Sequence, residues 1–547
     1  MQRNSTPLIW RPKGVSDTLD ASSAFNGAMA ILQNLIPDPT TAMLWQCRPA
    51  ALKKADFVAG GFSSPGFVSL IDTSVSGFVY GTVATSRFPG YDEPFCFNLN
   101  TGAFVSVAGV DMTNVPRSPL EFGAWDPPDS SLIGSKLIVT HPGFTGANGV
   151  FFGWFDVTAP GTPVWHGSNL TGNVQFVVAP SQVQQFNQRA YYITNDTRQP
   201  AVIYSDVLNA TNVTNANQVL TFGDTEKLTA LGPLSFYNQL GGIIQALMVF
   251  KGNINVYQVL GDAALNNLSV NTLNISTGTQ AARTVCTTPQ GLAFVSPQGL
   301  RLIDFNARMS EPIGNDGQGV VAPFIYANVP SRMVAGCVGD VIRITTQNVS
   351  VPGAPWQEFW YDFARKIWSG PHTFPAVNMV PSQGTFLMTP VNVHASIWQS
   401  DVVQNATSTF TENGIQLSFD WRTSFLPDTE KMTENCITET TLNVQTAAGS
   451  ADFVVKALNQ NATVLDTFDI VSTGVATVWG QFVWGQAVWG GTPNFLVPRQ
   501  VNWHLPLVFC RIQFDVTGPS SASVKIGTLS LRYQILRYLS NVLAAVA

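Results

Sequence analysis

The strongest constraint on this chain is a rhythm of short strands broken by Gly, Pro and Asn. It is clearest between Arg332 and Pro371. Met333 to Val338, Val341 to Thr346, Gln357 to Phe363 and Lys366 to Trp368 alternate apolar and polar residues. Alternation of period two places one face of a strand against a core. The connections are Gly339-Asp340, a long Asn/Ser/Pro/Gly loop, and Ala364-Arg365. Together they predict a four-stranded antiparallel meander of about 40 residues, the size of one propeller blade.

The same pattern precedes it. Gly291 to Ser296 and Gly299 to Asp304 flank Pro297-Gln298, and Ile243 to Phe250 and Asn253 to Leu260 flank Lys251-Gly252. Both read as hairpins. Hairpins recurring about every 20–25 residues over a long span favour an irregular β-propeller over tandem sandwiches. From Asp401 the strands lengthen: Gly414 to Thr423, Cys436 to Val444, Ala451 to Leu458, Val464 to Val471, Phe509 to Val516 and Ser523 to Tyr533. That change predicts a C-terminal β-sandwich-like domain. At the other end, Phe25, Met29 and Leu32 fall at helical spacing within Ala21 to Leu35 and predict a short helix. The rigid Ile36-Pro37-Asp38-Pro39 turn follows, then a first strand ended by Arg48-Pro49. The expected organisation is an N-terminal segment over 1–56, propeller-like blades over 57–400 and a C-terminal β domain over 401–547.

Composition agrees with an all-β chain. Only 11% of the residues are charged, against roughly 25% in an ordinary soluble domain. This argues against coiled coils, helix bundles and disorder, whose solvated surfaces need charge. A surface of Asn, Gln, Ser and Thr is poorly suited to an isolated monomer and points to a permanent assembly. With 28 basic and 34 acidic residues, the chain does not read as one that wraps DNA by neutralising phosphates.

Chemistry-bearing motifs are scarce. The N-terminus lacks the apolar core of a signal peptide, and no stretch approaches the roughly 18 apolar residues of a membrane helix. The six cysteines are scattered without a CxxC pair and read as free thiols; the five histidines form no metal motif. No Gly-rich nucleotide loop or nucleophile elbow occurs. Carboxylates cluster at Asp92-Glu93 and at Glu121, Asp126 and Asp129, the latter beside Trp125, but Asp before Pro is ordinary turn chemistry. No catalytic residue, metal site or cofactor is therefore expected, and the chain reads as a non-enzyme. One local repeat stands out, with Trp479, Trp484 and Trp489 each followed by Gly. It reads as a protruding aromatic loop that anchors a partner, with capping of the sandwich core as the alternative.

Three stretches together resemble the tail nozzle proteins (tail tubular protein B type) of short-tailed bacteriophages. The first carries Asn34-Leu35-Ile36-Pro37 and then Arg48-Pro49; the second is the Gly299-Leu-Arg301 hairpin leading to Pro312-Ile-Gly; the third is Tyr361-Asp362 through Trp368-Ser369. The resemblance implies a virion structural protein assembled in the host cytoplasm. It implies a homohexameric tube below the portal–adaptor ring that retains and conducts double-stranded genomic DNA without gripping it. It also implies attached tail fibres or spikes, no stable membrane insertion and no enzymatic activity. The alternative reading is a carbohydrate-binding or carbohydrate-cleaving propeller acting in receptor recognition.

Overall fold

The computed structural model describes residues 6–11, 15, 29–41, 44–72, 75, 77–86, 92–109, 128–144, 146, 149–196, 199–223, 225–237, 242–265, 267–274, 276–313, 330, 333–347, 355–391, 393, 395–402, 410–426, 433–445, 453–470, 497–504, 506–520 and 524–538. Among them the chain is strand throughout, with two short 3₁₀ turns at Ala263–Leu265 and Ala282–Thr284. No helix among the described residues is long and apolar enough to cross a membrane.

The chain forms a β-propeller. Six sheets stand as separate blades: residues 68–105, 129–168, 182–221, 228–274, 286–304, and a last one whose strands are Ala376–Ser382, Thr385–Pro390, Ser396–Val402 and Ala50–Asp56. A further meander, Val334–Val338, Val341–Gln347, Trp356–Asp362 and Ile367–His372, fills the sector between the fifth and the last blade. We call it the fused blade, because its outer strand continues into a nine-stranded sheet. The first strand of every blade touches the first strand of the next, and the circuit closes from Ala376–Ser382 back to Val68–Asp72.

Polar side chains tie neighbouring blades where their inner strands meet. Asp129 Oδ2 accepts from the Val183 amide at 2.9 Å, Ser131 Oγ from the Gln185 amide at 2.9 Å, and Gln182 Oε1 from the Leu231 amide at 3.0 Å. Each satisfies a backbone donor that the diverging sheets leave without a ladder partner. Between blades the filling is aromatic. Phe57, from the N-terminal side, packs its ring 4.8 Å from both Phe95 and Phe104 of the first blade.

The predicted meander and both predicted hairpins form, as do the six longer C-terminal strands. The helix predicted over Ala21 to Leu35 does not form in its described part, where Met29–Gln33 is a strand. A register shift between Met29 and Ile31 turns both Met29 and Leu32 inward to zero exposure. A bulge adds one residue to the strand period of two, which imitates the helical spacing of three.

Hydrogen bonding also runs across the boundaries expected at 56 and 400. Met29–Gln33 lies between Ile367–His372 of the fused blade and Ser418–Thr423 of the C-terminal part. Beyond it the sheet continues through Ile512–Pro519, Phe453–Asn459 and Val464–Ile470. A seven-stranded sheet built mainly on Thr433–Gln445 and Lys525–Tyr538 shares one buried cluster with it, including Trp421, Phe514, Leu442 and Leu529. Backbone ladders therefore join the described parts of the three segments.

Candidate functional site

The most elaborate polar arrangement lies where the N-terminal turn, the fused blade, the last blade and the C-terminal sheets meet. Asn34 adopts a left-handed φ of 56°, a conformation that Asn tolerates better than most residues. This turns its side chain inward, where Oδ1 accepts from Arg48 Nε at 2.8 Å and from the Thr373 amide at 3.2 Å. Nδ2 donates to the Ser418 carbonyl at 2.7 Å. Arg48 then grips Glu412 with two parallel bonds of 2.7 and 2.9 Å, and donates to the Thr373 carbonyl at 2.8 Å. Glu412 also accepts from the Ala51 amide, in the strand that closes the last blade, at 2.9 Å.

The charges extend outward. Arg343 pairs with Asp401 and lies 3.8 Å over the Trp360 ring, whose indole N–H donates to Glu358 at 2.6 Å. Burial would lower the pKa of Arg48, but the facing Glu412, with Glu358 and Asp401 behind it, outweighs this and raises it. His372 moves the other way. Burial, then Arg48 and Arg343, hold it well below its usual value, so it is neutral.

The hydrogen bonds of His372 exclude nucleophilic catalysis here. Its Nδ1 accepts from the Asn34 amide at 3.1 Å, so the proton of the neutral ring sits on Nε2. Nε2 lies 3.1 Å from Ser369 Oγ and must donate to it. A base that already donates to the hydroxyl has no lone pair to activate it. The Ser369 proton is left to point elsewhere.

Beside this network is a cleft of about 180 Å³. Pro37, Val341 and Ile367 form apolar walls with Trp360, while Gln46 and Ser369 add neutral polar groups. Asp362 and Arg365 also line it but neutralise one another through a bond of 2.7 Å. Arg365 ties down the N-terminal turn as well, donating to the Asp38 and Pro39 carbonyls at 3.2 and 3.1 Å. Asp38 is anchored in turn by Lys525. Burial opposes ionisation of Asp38, yet the bonds from Lys525 and Thr40 hold its pKa below the ordinary value.

The motif residues singled out in the sequence divide between two places. Asn34, Arg48 and Pro49 meet in the charged junction, the Pro49 carbonyl accepting from Arg48 at 3.2 Å. Pro37 and Asp362 line the cleft. Tyr361 and Trp368 pack with tilted rings 4.8 Å apart in the core beneath. Gly299 and Arg301 lie apart in the fifth blade, where Arg301 donates to the Ser310 carbonyl at 2.8 Å and pins the hairpin to the loop after it. Trp479, Trp484 and Trp489 lie outside the described residues, as do Glu121, Trp125 and Asp126. Asp129 serves blade contact, and Glu93 accepts from Thr85 at 3.2 Å.

Sequence reading missed Glu412, Arg343, Asp401 and His372, whose partners lie far along the chain. It also missed a carboxylate pair. Asp420 and Asp515 face each other from neighbouring strands, each 3.1 Å from Arg422. Burial, with Asp515 beside it, raises the Asp420 pKa to about 7. All six cysteines are free. Among the described residues no three His, Cys, Asp or Glu side chains gather as a metal site would require.

No family model matches the chain, and no curated protein does. Solved structures do. The Dos1 propeller matches at 9% identity and a TM-score of 0.36, over 68% of this chain and 92% of that one. The SapL1 lectin in complex with alpha methyl fucoside matches at 13% identity and 0.31, over 56% and 95%. A Bombyx mori GH32 β-fructofuranosidase matches at 9% identity and 0.25, over 90% and 94%. These likenesses are loose, and the propeller assignment rests on the ring of sheets itself. Glycoside hydrolases stand among these matches, against the expectation that the chain is not an enzyme, but at this likeness they show no activity of this chain.

Proposed function

We propose that the chain is a structural component of a short-tailed phage virion, the nozzle subunit below portal and adaptor. In this reading it assembles as a hexameric tube, retains and then conducts genomic DNA, and carries fibres or spikes. One observation supports it best. Asn34 and Arg48, which carry the first family-like motif, serve the joint between the blades and Ser418 and Glu412 of the C-terminal part, and Asp362 of the third motif holds Arg365 against the N-terminal turn. A tube wall under DNA pressure needs such a stiff joint. The charge-poor composition suits a subunit that hides surface against its copies. Native mass measurement or negative-stain microscopy tests the reading. A six-fold ring is expected; a stable monomer in the presence of other tail proteins would count decisively against it.

Carbohydrate binding or cleavage is the second reading, favoured by the cleft with its aromatic wall and neutral polar groups. Incubation with host surface polysaccharide tests it. Retention of the polysaccharide or release of reducing ends is the expected result, and neither would be seen if the reading is wrong.

A further inference from the structure

We propose that the cleft beside the charged junction binds a single neutral pyranose ring, the terminal sugar of a glycan. The inference rests on the carbohydrate reading and deepens it by naming the place and the ligand class.

The chemistry of the walls selects the ligand. Ser369 is 2% exposed and borders the cleft, and its hydroxyl already accepts from His372. Its own proton therefore needs an acceptor, and the cleft is the space beside it. The Gln46 carboxamide, also on the wall, makes no hydrogen bond within the described residues. It offers one donor face and one acceptor. The two groups suit adjacent hydroxyls, each of which both donates and accepts.

Between them, Pro37, Val341 and Ile367 present carbon surface suited to the C–H face of a sugar ring, with the buried Trp360 ring, covered by Arg343 and 4.7 Å from His372, as backing. Trp360 cannot turn away, because its N–H is held by Glu358 and its ring by Arg343. The Asp362–Arg365 pair cancels its own charge, so nothing in the cleft rewards an ionised ligand. The volume holds one ring and not a chain, so further sugars would extend outward.

The whole chain is titrated with methyl α-glucoside, methyl α-galactoside, methyl α-mannoside and N-acetylglucosamine, with cyclohexanol as an apolar control, read by saturation-transfer NMR. Transfer to at least one sugar is expected. About tenfold weaker binding is expected in Gln46→Leu and in Ser369→Ala, the loss of one hydrogen bond to a buried partner. Gln46→Leu is partly exposed and leaves the charged network intact, so it decides alone if Ser369→Ala melts early. Equal sugar binding by wild type and Gln46→Leu would overturn the cleft while leaving carbohydrate binding standing. Polysaccharide retained without transfer to any single sugar would also overturn it. Transfer to cyclohexanol alone would make the cleft an apolar site and overturn the sugar assignment. No transfer and no retained polysaccharide would remove both readings.

Discussion

Arg48 and Glu412 illustrate how a buried pair specifies one arrangement of distant segments. Both side chains are nearly unexposed, and every strong donor on the guanidinium has an acceptor. Removing one partner leaves the other charged and dry, which costs about 3–5 kcal/mol. Arg48→Ala or Glu412→Ala should therefore lower stability by that amount in urea titration, while the double Arg48→Met/Glu412→Met variant should recover much of it. Asp420 makes a different statement. Its pKa is raised from 3.8 to about 7 in the folded chain, so the folded state holds a proton that the unfolded state releases earlier. The stability this contributes is fully present below about pH 4 and is lost as pH rises through about 7. Denaturation at about pH 5 and pH 8 should show a fall that Asp420→Asn flattens. An unchanged slope in that variant would place the titrating group elsewhere.

At the level of elements, two borrowed strands make the architecture. Ala50–Asp56 completes the last blade, and Phe57 immediately after it enters the first blade's aromatic cluster. The eight residues from Ala50 to Phe57 thus hold the two ends of the ring together. Phe57→Ala should cost about 3–5 kcal/mol, the usual penalty for a large core truncation. Hydrogen exchange should rise in Ser396–Val402 and Val68–Asp72 before it rises in the blades opposite. Uniform exchange around the ring would mean that closure does not depend on this residue. Met29–Gln33 is the second borrowed strand, bridging the fused blade to Ser418–Thr423. Through it, one sheet spans propeller and C-terminal part, and motion of one is transmitted to the other by backbone bonds.

At the scale of the molecule, each separate blade ends on an outer edge strand, and the polar-neutral surface carries few charges to keep copies apart. This is where the Trp-Gly repeat belongs. Replacing Trp479, Trp484 and Trp489 together with Ala should weaken attachment of a neighbouring protein more than it lowers the melting temperature. A large melting shift with assembly intact would make them core residues.

The order and type of the elements were legible in sequence, because alternation and turn residues act within a few positions. The meander over Val334–His372 and the hairpin over Gly291–Asp304 depend only on their own residues, and both form close to their expected bounds. The family-like motifs were legible as residues too, though not as partners. Nothing local links Arg48 to Glu412, or Asn34 to His372, since each pair is separated by more than 300 positions. The bulge at Met29 reads as a helix until neighbouring strands are present to take its hydrogen bonds. Periodicity, a local property, thus determined that this is a chain of short strands. Which strands close the ring, which carboxylates are buried side by side and which side chains line a cleft were decided by long-range pairing, where burial rewards contacts that sequence spacing does not encode.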